Sequence, residues 1–237
     1  MRVLSALIVA AATLFSAPAS AQLITIPGRA APPATTDKEN LWLLDLSNGG
    51  RVTIWLRPDV APKMVERVKT LTRKKFYDNT LFHRVIDGFM AQGGDPKGDG
   101  TGGSDLPDLP KEFNYLPHVR GAVSAAREGA PEQATQEQKD KAENSANSQF
   151  FIVFQPRLSL DQKYTVFGRV IDGMQYVDAI ERGEPPANPT KIVHAYIAAD
   201  NPPAYTAPAP EPVMVAPETL PPGPGRKAPP AKPSPVK

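Results

Sequence analysis

The sequence predicts a mainly β fold, a closed antiparallel β-barrel with two α-helices. The first observation is a series of short segments rich in β-branched and aromatic residues, separated by turn signals. The second is that two longer segments carry helix signals. Many short strands favour a closed barrel, because closure removes the unpaired strand edges that an open sheet exposes.

The predicted strands begin with a hairpin. Residues 41–46 and 51–57 are strand-like, and the Asn48-Gly49 pair between them is a strong hairpin signal. The remaining strands are predicted at residues 81–86, 89–92, 121–126, 149–154, 164–170 and 192–198.

Two segments between the strands are predicted to be helical. Pro62 suits the first turn of a helix over residues 62–75. The apolar stripe of this helix is formed by Val65, Val68 and Leu71. A second helix is predicted over residues 174–182 and is expected to end at Gly183, since glycine commonly follows a helix C-terminus.

The N-terminal residues 1–21 have the pattern of a secretory signal peptide. Arg2 precedes an apolar run, and Ala19-Ser20-Ala21 is a small-residue cleavage site before Gln22. The run is shorter than the roughly 20 residues that span a bilayer, so an uncleaved anchor is the less favoured alternative. We therefore expect a periplasmic or secreted protein, with a flexible linker at residues 22–39 and a folded domain at residues 40–199.

The composition excludes several classes of protein. There is no cysteine among the 237 residues, so disulfides and a lipid-modified cysteine are both impossible. Without Arg2 the chain has 26 basic and 25 acidic residues, a net charge of +1. This balance gives no reason to expect nucleic acid or an acidic membrane as a partner.

The C-terminal residues 200–237 are predicted to form a disordered tail. They contain thirteen prolines and almost no large apolar residues, so they cannot bury enough surface to offset the entropy of ordering. The end of the tail is basic. A solvated linker is the simplest interpretation; the alternative is a tether to an anionic envelope surface or to a partner.

Residues 82–95, with the sequence FHRVIDGFMAQGGD, are the most informative part of the chain. Arg84 lies among apolar residues, and a buried arginine must be held by hydrogen bonds or reach water along its aliphatic stem. As a strand, the segment would place Phe82, Arg84 and Ile86 on one face and His83 and Val85 on the other. A solvated arginine on an edge strand is the alternative interpretation.

Two further blocks, SQFFIVF at residues 148–154 and YTVFGRVIDGM at residues 164–174, follow in order. Together with FHRVIDGFMAQGGD they are similar to the signature blocks of the cyclophilins, a family of peptidyl-prolyl cis-trans isomerases. The resemblance runs over residues 41–198. It implies an eight-stranded barrel with a helix over each end, proline-containing polypeptide substrates and no cofactor, and we expect a monomer.

The isomerase reaction needs no nucleophile. Amide resonance gives the X–Pro bond a rotation barrier of about 18–20 kcal/mol. A donor that is always protonated, such as arginine, can favour the twisted amide by donating to the proline nitrogen as it becomes basic.

The resemblance assigns a role to ten residues. It makes Arg84 the catalytic donor, with Gln92 and Gln149 orienting Arg84 and the substrate carbonyl. The substrate-binding residues are the proline pocket of Phe89, Met90, Phe151 and Leu160, the backbone of Ala126 and Arg127, and Tyr164 beside the pocket. Without the resemblance, Met90, Phe151 and Leu160 would be interpreted as barrel core and Gln149 as an ordinary residue at a strand end.

The chain departs from the family pattern in four places. Arg127 replaces a common asparagine, which would favour acidic residues near the substrate proline. Ser159 replaces the tryptophan of animal members, which contacts cyclosporin, and Tyr164 replaces a histidine, so we expect weak cyclosporin binding. Residues 128–147 form a polar insertion, interpreted as a solvated loop with a short exposed helix or, alternatively, as a flap that selects substrates.

Two other motifs are not functional by our interpretation. Residues 98–103 satisfy the G-x-G-x-x-G pattern of nucleotide sites, but the proline-containing segment that follows is a poor helix start, so we expect no nucleotide. The three histidines have no paired ligand spacing, so no metal site is expected, and His83 is predicted to be packed and hydrogen-bonded. The alternative to an enzyme is a module that binds proline-containing peptides with little turnover.

Overall fold

The computed structural model describes residues 30–206. The predicted signal peptide (1–21), residues 22–29 of the predicted linker and residues 207–237 of the predicted tail lie outside the described residues. Among the helices of residues 30–206, none has the length and hydrophobicity required to cross a bilayer.

Eight antiparallel strands form one curled sheet. They are β1 Leu41–Leu46, β2 Arg51–Leu56, β3 Arg84–Ile86, β4 Met90–Gly93, β5 Ala122–Ala125, β6 Phe150–Val153, β7 Val166–Asp172 and β8 Ile192–Ile197. Their order in the sheet is β3-β4-β6-β5-β7-β2-β1-β8. Each predicted strand is therefore present, with ends one to three residues from the predicted bounds in most cases.

The prediction of a closed barrel is wrong, because β3 and β8 share no ladder. Across this gap, the residues just before β3 contact the residues just before β8. Leu81 forms an isolated bridge with Lys191, and the Phe82 amide donates to the Thr190 carbonyl at 2.9 Å. The free edge of β3 pairs through Val85 with Gly183 rather than with β8, so the sheet curls toward closure without completing it.

The described residues contain three α-helices rather than two. They are α1 Pro62–Arg73, α2 Gln136–Glu143 and α3 Met174–Asp178. The first, α1, has Pro at its start and buries Met64, Val65, Val68 and Leu71. The additional helix, α2, lies in the insertion, where Thr135 and Gln138 form a capping box and Ala142 is its only buried residue.

The third helix ends earlier than predicted. It stops at Asp178, and Gly183 is not its C-cap. Gly183 instead pairs with Val85, each amide donating to the other's carbonyl at 2.8 and 2.9 Å. Gly183 is therefore part of a strand-like pairing rather than of a helix C-terminus.

The inner face of the curled sheet surrounds the main core. Residues that point inward from neighbouring strands include Val85, Ala91, Val123, Phe150 and Ile152. The aromatic ring of Phe150 packs against Trp42 at 4.9 Å and against Phe82 at 6.2 Å between ring centroids. Burial of this apolar surface is the main contribution to the stability of the sheet.

Two expectations near Arg84 are wrong. Phe82 lies in the inner core with Val85, not on the face of Arg84, because the strand begins only at Arg84 and the alternation does not extend back to residue 82. His83 is buried as predicted, but neither ring nitrogen has a hydrogen-bond partner among the described residues.

The described start of the C-terminal segment contacts the β1–β2 hairpin. The Tyr205 hydroxyl donates to the Gly49 carbonyl, and its ring lies 5.0 Å from the Arg51 guanidinium. Arg51 also donates to the Pro203 carbonyl at 3.3 Å. These contacts attach the chain to the sheet up to Tyr205.

Candidate active site

The predicted catalytic residues lie on the outer face of the curled sheet. Arg84 in β3 is opposite Gln92 in β4, and Gln92 is opposite Phe151 in β6. Directly opposite residues of antiparallel strands share a face of the sheet. Three short strands therefore place a cation, an amide and an aromatic ring in one row.

A chain of side-chain hydrogen bonds runs along this row. Arg84 Nη1 donates to Gln92 Oε1 at 3.5 Å, and Gln92 Nε2 donates to Gln149 Oε1 at 2.9 Å. Gln149 Nε2 then donates to the carbonyls of Gly100 and Gly102 at 3.0 and 2.8 Å. The orientation of Gln92 is thus set by Gln149, whose own amide group is held by the backbone.

The segment at residues 98–103, here called the glycine-rich loop, is folded around a buried carboxylate. Asp95 is fully buried and accepts hydrogen bonds from the amides of Lys97, Asp99 and Gly100. A Cβ at Gly102 would lie only 2.0 Å from Asp95 Oδ1, so a side chain cannot be accommodated there. The glycines therefore serve this turn and present carbonyls to Gln149, and no helix follows them as a nucleotide site would require.

A second apolar cluster, here called the outer apolar cluster, adjoins the row. Its buried members are Met90, Ala122, Phe151, Val153 and Val166. Its partly buried members include Phe89, Ala126, Leu160 and Tyr164. All the residues predicted for the proline pocket meet here, and Phe151 and Tyr164 pack edge to face at 5.7 Å.

His118 packs against the buried side of this cluster. Its ring is fully buried and stacks on Phe151 with 6.1 Å between centroids and 16° between planes. Nδ1 lies 2.8 Å from Asp161 Oδ1, and Nε2 lies 3.1 Å from the Ser124 hydroxyl. Burial lowers the pKa of His118, and the hydrogen bond that the ring donates to Asp161 offsets only part of that effect.

Arg127 lies at the border of the outer apolar cluster. Its guanidinium is 4.5 Å from the centre of the Tyr164 ring, and its Nε and Nη2 both donate to the Lys163 carbonyl at 3.2 Å. Nη1 donates to the Glu128 carbonyl at 2.8 Å. Arg127 is thus fixed over Tyr164 rather than extended into solvent, and the Ala126 amide beside it donates to the Gln149 carbonyl at 3.0 Å.

A cavity of about 510 Å³ continues the site on the side of Gln92 and Gln149. One wall is the glycine-rich loop; another is the insertion, through Glu128, Ser145 and Asn147. The insertion is attached at its base, since Asn147 donates to Asp108 at 2.9 Å and Lys111 contacts Glu143 at 2.5 Å. This arrangement can hold a side chain that flanks a proline bound in the outer apolar cluster.

All ten predicted site residues are therefore brought together, but two further residues were missed. His118 carries no motif, and only its burial next to Phe151 reveals its position. Glu184 Oε2 accepts a hydrogen bond from Arg84 Nε at 2.7 Å, although the two residues are 100 positions apart. No spacing in the sequence links Arg84 and Glu184.

Within residues 30–206 there is no group of three or more histidine, aspartate or glutamate side chains that could hold a metal ion.

Comparison with curated proteins gives consistent relatives. A protein of Brucella suis named a probable peptidyl-prolyl cis-trans isomerase is 43% identical over 202 residues, covering 78% of this chain and 96% of that protein. Peptidyl-prolyl cis-trans isomerase 9 of Schizosaccharomyces pombe is 38% identical over 157 residues, covering 62% of this chain and 24% of its own length.

Solved structures show the same fold. A cyclophilin of Hirschia baltica has a TM-score of 0.60 at 28% identity, covering 70% of this chain and 77% of that one. A cyclophilin-type isomerase of Cryptosporidium parvum, crystallised in the presence of the dipeptide Ala-Pro, has a TM-score of 0.57 at 27% identity and covers 66% of this chain and 98% of its own.

The family profile described as cyclophilin type peptidyl-prolyl cis-trans isomerase/CLD matches residues 43–197, which include the whole curled sheet apart from the first two residues of β1. With that match, the relatives and the shared fold, this chain belongs to the cyclophilin-type peptidyl-prolyl cis-trans isomerase family.

Proposed function

We propose that the chain accelerates rotation of X–Pro bonds with Arg84 as the donor to the proline nitrogen and the outer apolar cluster as the proline pocket. The observation that carries this proposal is the single row in which Arg84, Gln92 and Phe151 lie opposite one another. It places a permanent cation beside an apolar floor on one face of the sheet. A proline ring on that floor brings its nitrogen toward the guanidinium.

The energetics divide between the donor and the pocket. Shortening an interconversion from tens of seconds to milliseconds requires roughly 6 kcal/mol of transition-state stabilisation. One preorganised donor typically contributes about 3–4 kcal/mol. Binding that is realised best in the twisted amide supplies the rest, from Phe89, Met90, Phe151 and Leu160 and from backbone groups at Ala126 and Arg127.

The test is the isomerisation rate of a short X–Pro peptide with the protein and with Arg84→Ala. We expect Arg84→Ala to lower kcat/KM by roughly 10²–10³-fold while peptide affinity changes by no more than about threefold. Arg120→Ala is the matched control, since Arg120 is a half-exposed arginine paired with Asp178 away from the site. Its rate should equal that of the unaltered protein.

The same experiment tests the alternative class. A folded protein that binds the peptide but accelerates isomerisation no more than Arg84→Ala is a proline-peptide binding module, and the catalytic role of Arg84 is then wrong. Circular dichroism of each variant establishes that it is folded.

We further propose that the substrates are proline-containing segments of exported proteins, met in the periplasm or outside the cell. The support is the signal-peptide pattern of residues 1–21. N-terminal sequencing of the protein recovered from the periplasmic fraction should begin at Gln22. Recovery in the cytoplasm with Met1 retained would contradict the proposal.

The basic C-terminal tail supports a secondary proposal, a tether to an anionic envelope surface. Sedimentation with anionic vesicles should then depend on residues 207–237 and weaken with salt. We propose that the protein acts as a monomer, which sedimentation equilibrium tests directly.

A further inference from the structure

Glu184 forms a cross-strand pair with the proposed catalytic arginine. Val85 and Gly183 form an antiparallel bridge, with amide-to-carbonyl hydrogen bonds of 2.8 and 2.9 Å in both directions. One step along each segment places Arg84 opposite Glu184. Opposite residues in an antiparallel pair share a face, so this bridge directs the Glu184 side chain to the outer face.

The ion pair is the shortest polar contact of Arg84. Glu184 Oε2 accepts from Nε at 2.7 Å, whereas the contact from Nη1 to Gln92 is 3.5 Å, at the limit of a hydrogen bond. Nη2 donates to none of the described residues. The guanidinium is thus held through Nε on one side, and its Nη1 edge faces Gln92 and the row that leads to Phe151.

The segment that carries Glu184 is itself restrained. Gly183 has a φ of +149° and a Cβ there would lie 2.5 Å from Pro186 Cα, so no other residue fits this turn. Pro185 and Pro186 follow directly and have fixed φ angles. The Glu184 carboxylate that contacts Arg84 is therefore carried by a backbone segment with little conformational freedom.

We propose that Glu184 is a positioning residue for the isomerase reaction, which fixes the guanidinium of Arg84 so that its Nη edge meets the proline nitrogen. This inference rests on the proposed function of Arg84. The side chains of Arg84 and Glu184 are 43% and 51% exposed. An exposed ion pair contributes little to the stability of a fold, so removing this pair should hardly change Tm. Its expected effect is on catalysis, because the pair holds the Arg84 guanidinium in one orientation before substrate binds.

The experiment compares Glu184→Gln with Asp87→Asn. Asp87 forms a similar exposed ion pair with Arg182 at 3.2 Å, outside the row of Arg84. Glu184→Gln keeps the shape of the side chain and removes its charge. We expect it to lower kcat/KM by about fivefold, the range of an exposed ion pair, with unchanged peptide Kd and unchanged Tm. Asp87→Asn should change none of these.

A second readout reports the ion pair directly. In a ¹⁵N spectrum the Arg84 Nε–H resonance should shift and exchange faster with water in Glu184→Gln, and remain in place in Asp87→Asn. A merely structural role of the pair would lower Tm and leave kcat/KM unchanged.

Three outcomes would overturn the inference: an unchanged Nε–H resonance, an unchanged kcat/KM, or a faster reaction, which would mean that the carboxylate competes with substrate for Arg84. The failure of the proposed function is distinguishable. In that case the unaltered protein is no faster than Arg84→Ala, while the resonance still reports on the pair.

Discussion

The two faces of the curled sheet differ in what their side chains do. The inner face is an apolar core in which Phe150, Ile152 and Val123 are fully buried. The outer face, built by the alternate residues of the same strands, has a smaller apolar cluster around Phe151 and a row of polar groups from Arg84 to Gln149. Adjacent residues of one strand thus belong to different faces, one in the stabilising core and the other in the proposed catalytic site.

The largest expected effect separates Phe150 from Phe151. Phe150→Ala should lower the free energy of unfolding by about 3–5 kcal/mol, because it leaves a cavity in the inner core. Phe151→Ala should cost less stability but lower kcat/KM by roughly 10- to 100-fold, because it removes a large apolar contact from the proposed pocket.

Denaturant unfolding and peptide isomerisation measure both quantities, and Phe150→Leu provides a milder truncation if Phe150→Ala does not fold. Equal losses of stability, or an active Phe151→Ala, would contradict the division between the two faces.

A smaller effect is expected within the polar row. Gln149→Ala removes both hydrogen bonds to the Gly100 and Gly102 carbonyls and the acceptor for Gln92. We expect kcat/KM to fall about tenfold, since the lost groups orient Arg84 without contacting the proline. The control is Gln155→Ala, at an exposed position after β6.

Hydrogen exchange sharpens this prediction. The amides of Asp99 and Gly100 should exchange faster in Gln149→Ala, while those of the inner core stay protected. If kcat/KM of Gln149→Ala equals that of the unaltered protein, the hydrogen bond from Gln92 to Gln149 is not required for catalysis, and the prediction is wrong.

The smallest expected effect is a pH dependence of the free energy of unfolding, to which His118 of the outer face contributes. Burial lowers the pKa of His118 below its ordinary value of 6.5, and burial has the same effect on His83. The unfolded chain therefore takes up protons that the folded protein resists. The free energy of unfolding should be largest above about pH 6.5 and decrease as the pH falls from there toward the folded pKa values.

Denaturant unfolding between pH 8 and pH 5 measures this decrease. In His118→Gln it should be smaller, because one of the two buried titrating groups is gone. An identical pH dependence in His118→Gln would show that His118 does not titrate differently in the folded and unfolded states.

Much of this protein was predictable from local patterns. Alternating apolar residues, Asn48-Gly49 and Pro62 located the strands, the first hairpin and the start of α1, since these depend on neighbours in the chain. The motifs around Arg84, Gln92, Phe151 and Tyr164 also predicted residues that lie together in the structure. Roles in catalysis for these residues remain predictions.

Other features were decided only by the tertiary structure, because they depend on contacts between distant residues. The edges β3 and β8 share no ladder, α3 ends at Asp178, and Gly183 pairs with Val85. That same pairing brings Glu184 to Arg84. Sequence periodicity reports which face of its own strand a residue occupies, but not which segment, 100 positions away, lies opposite it.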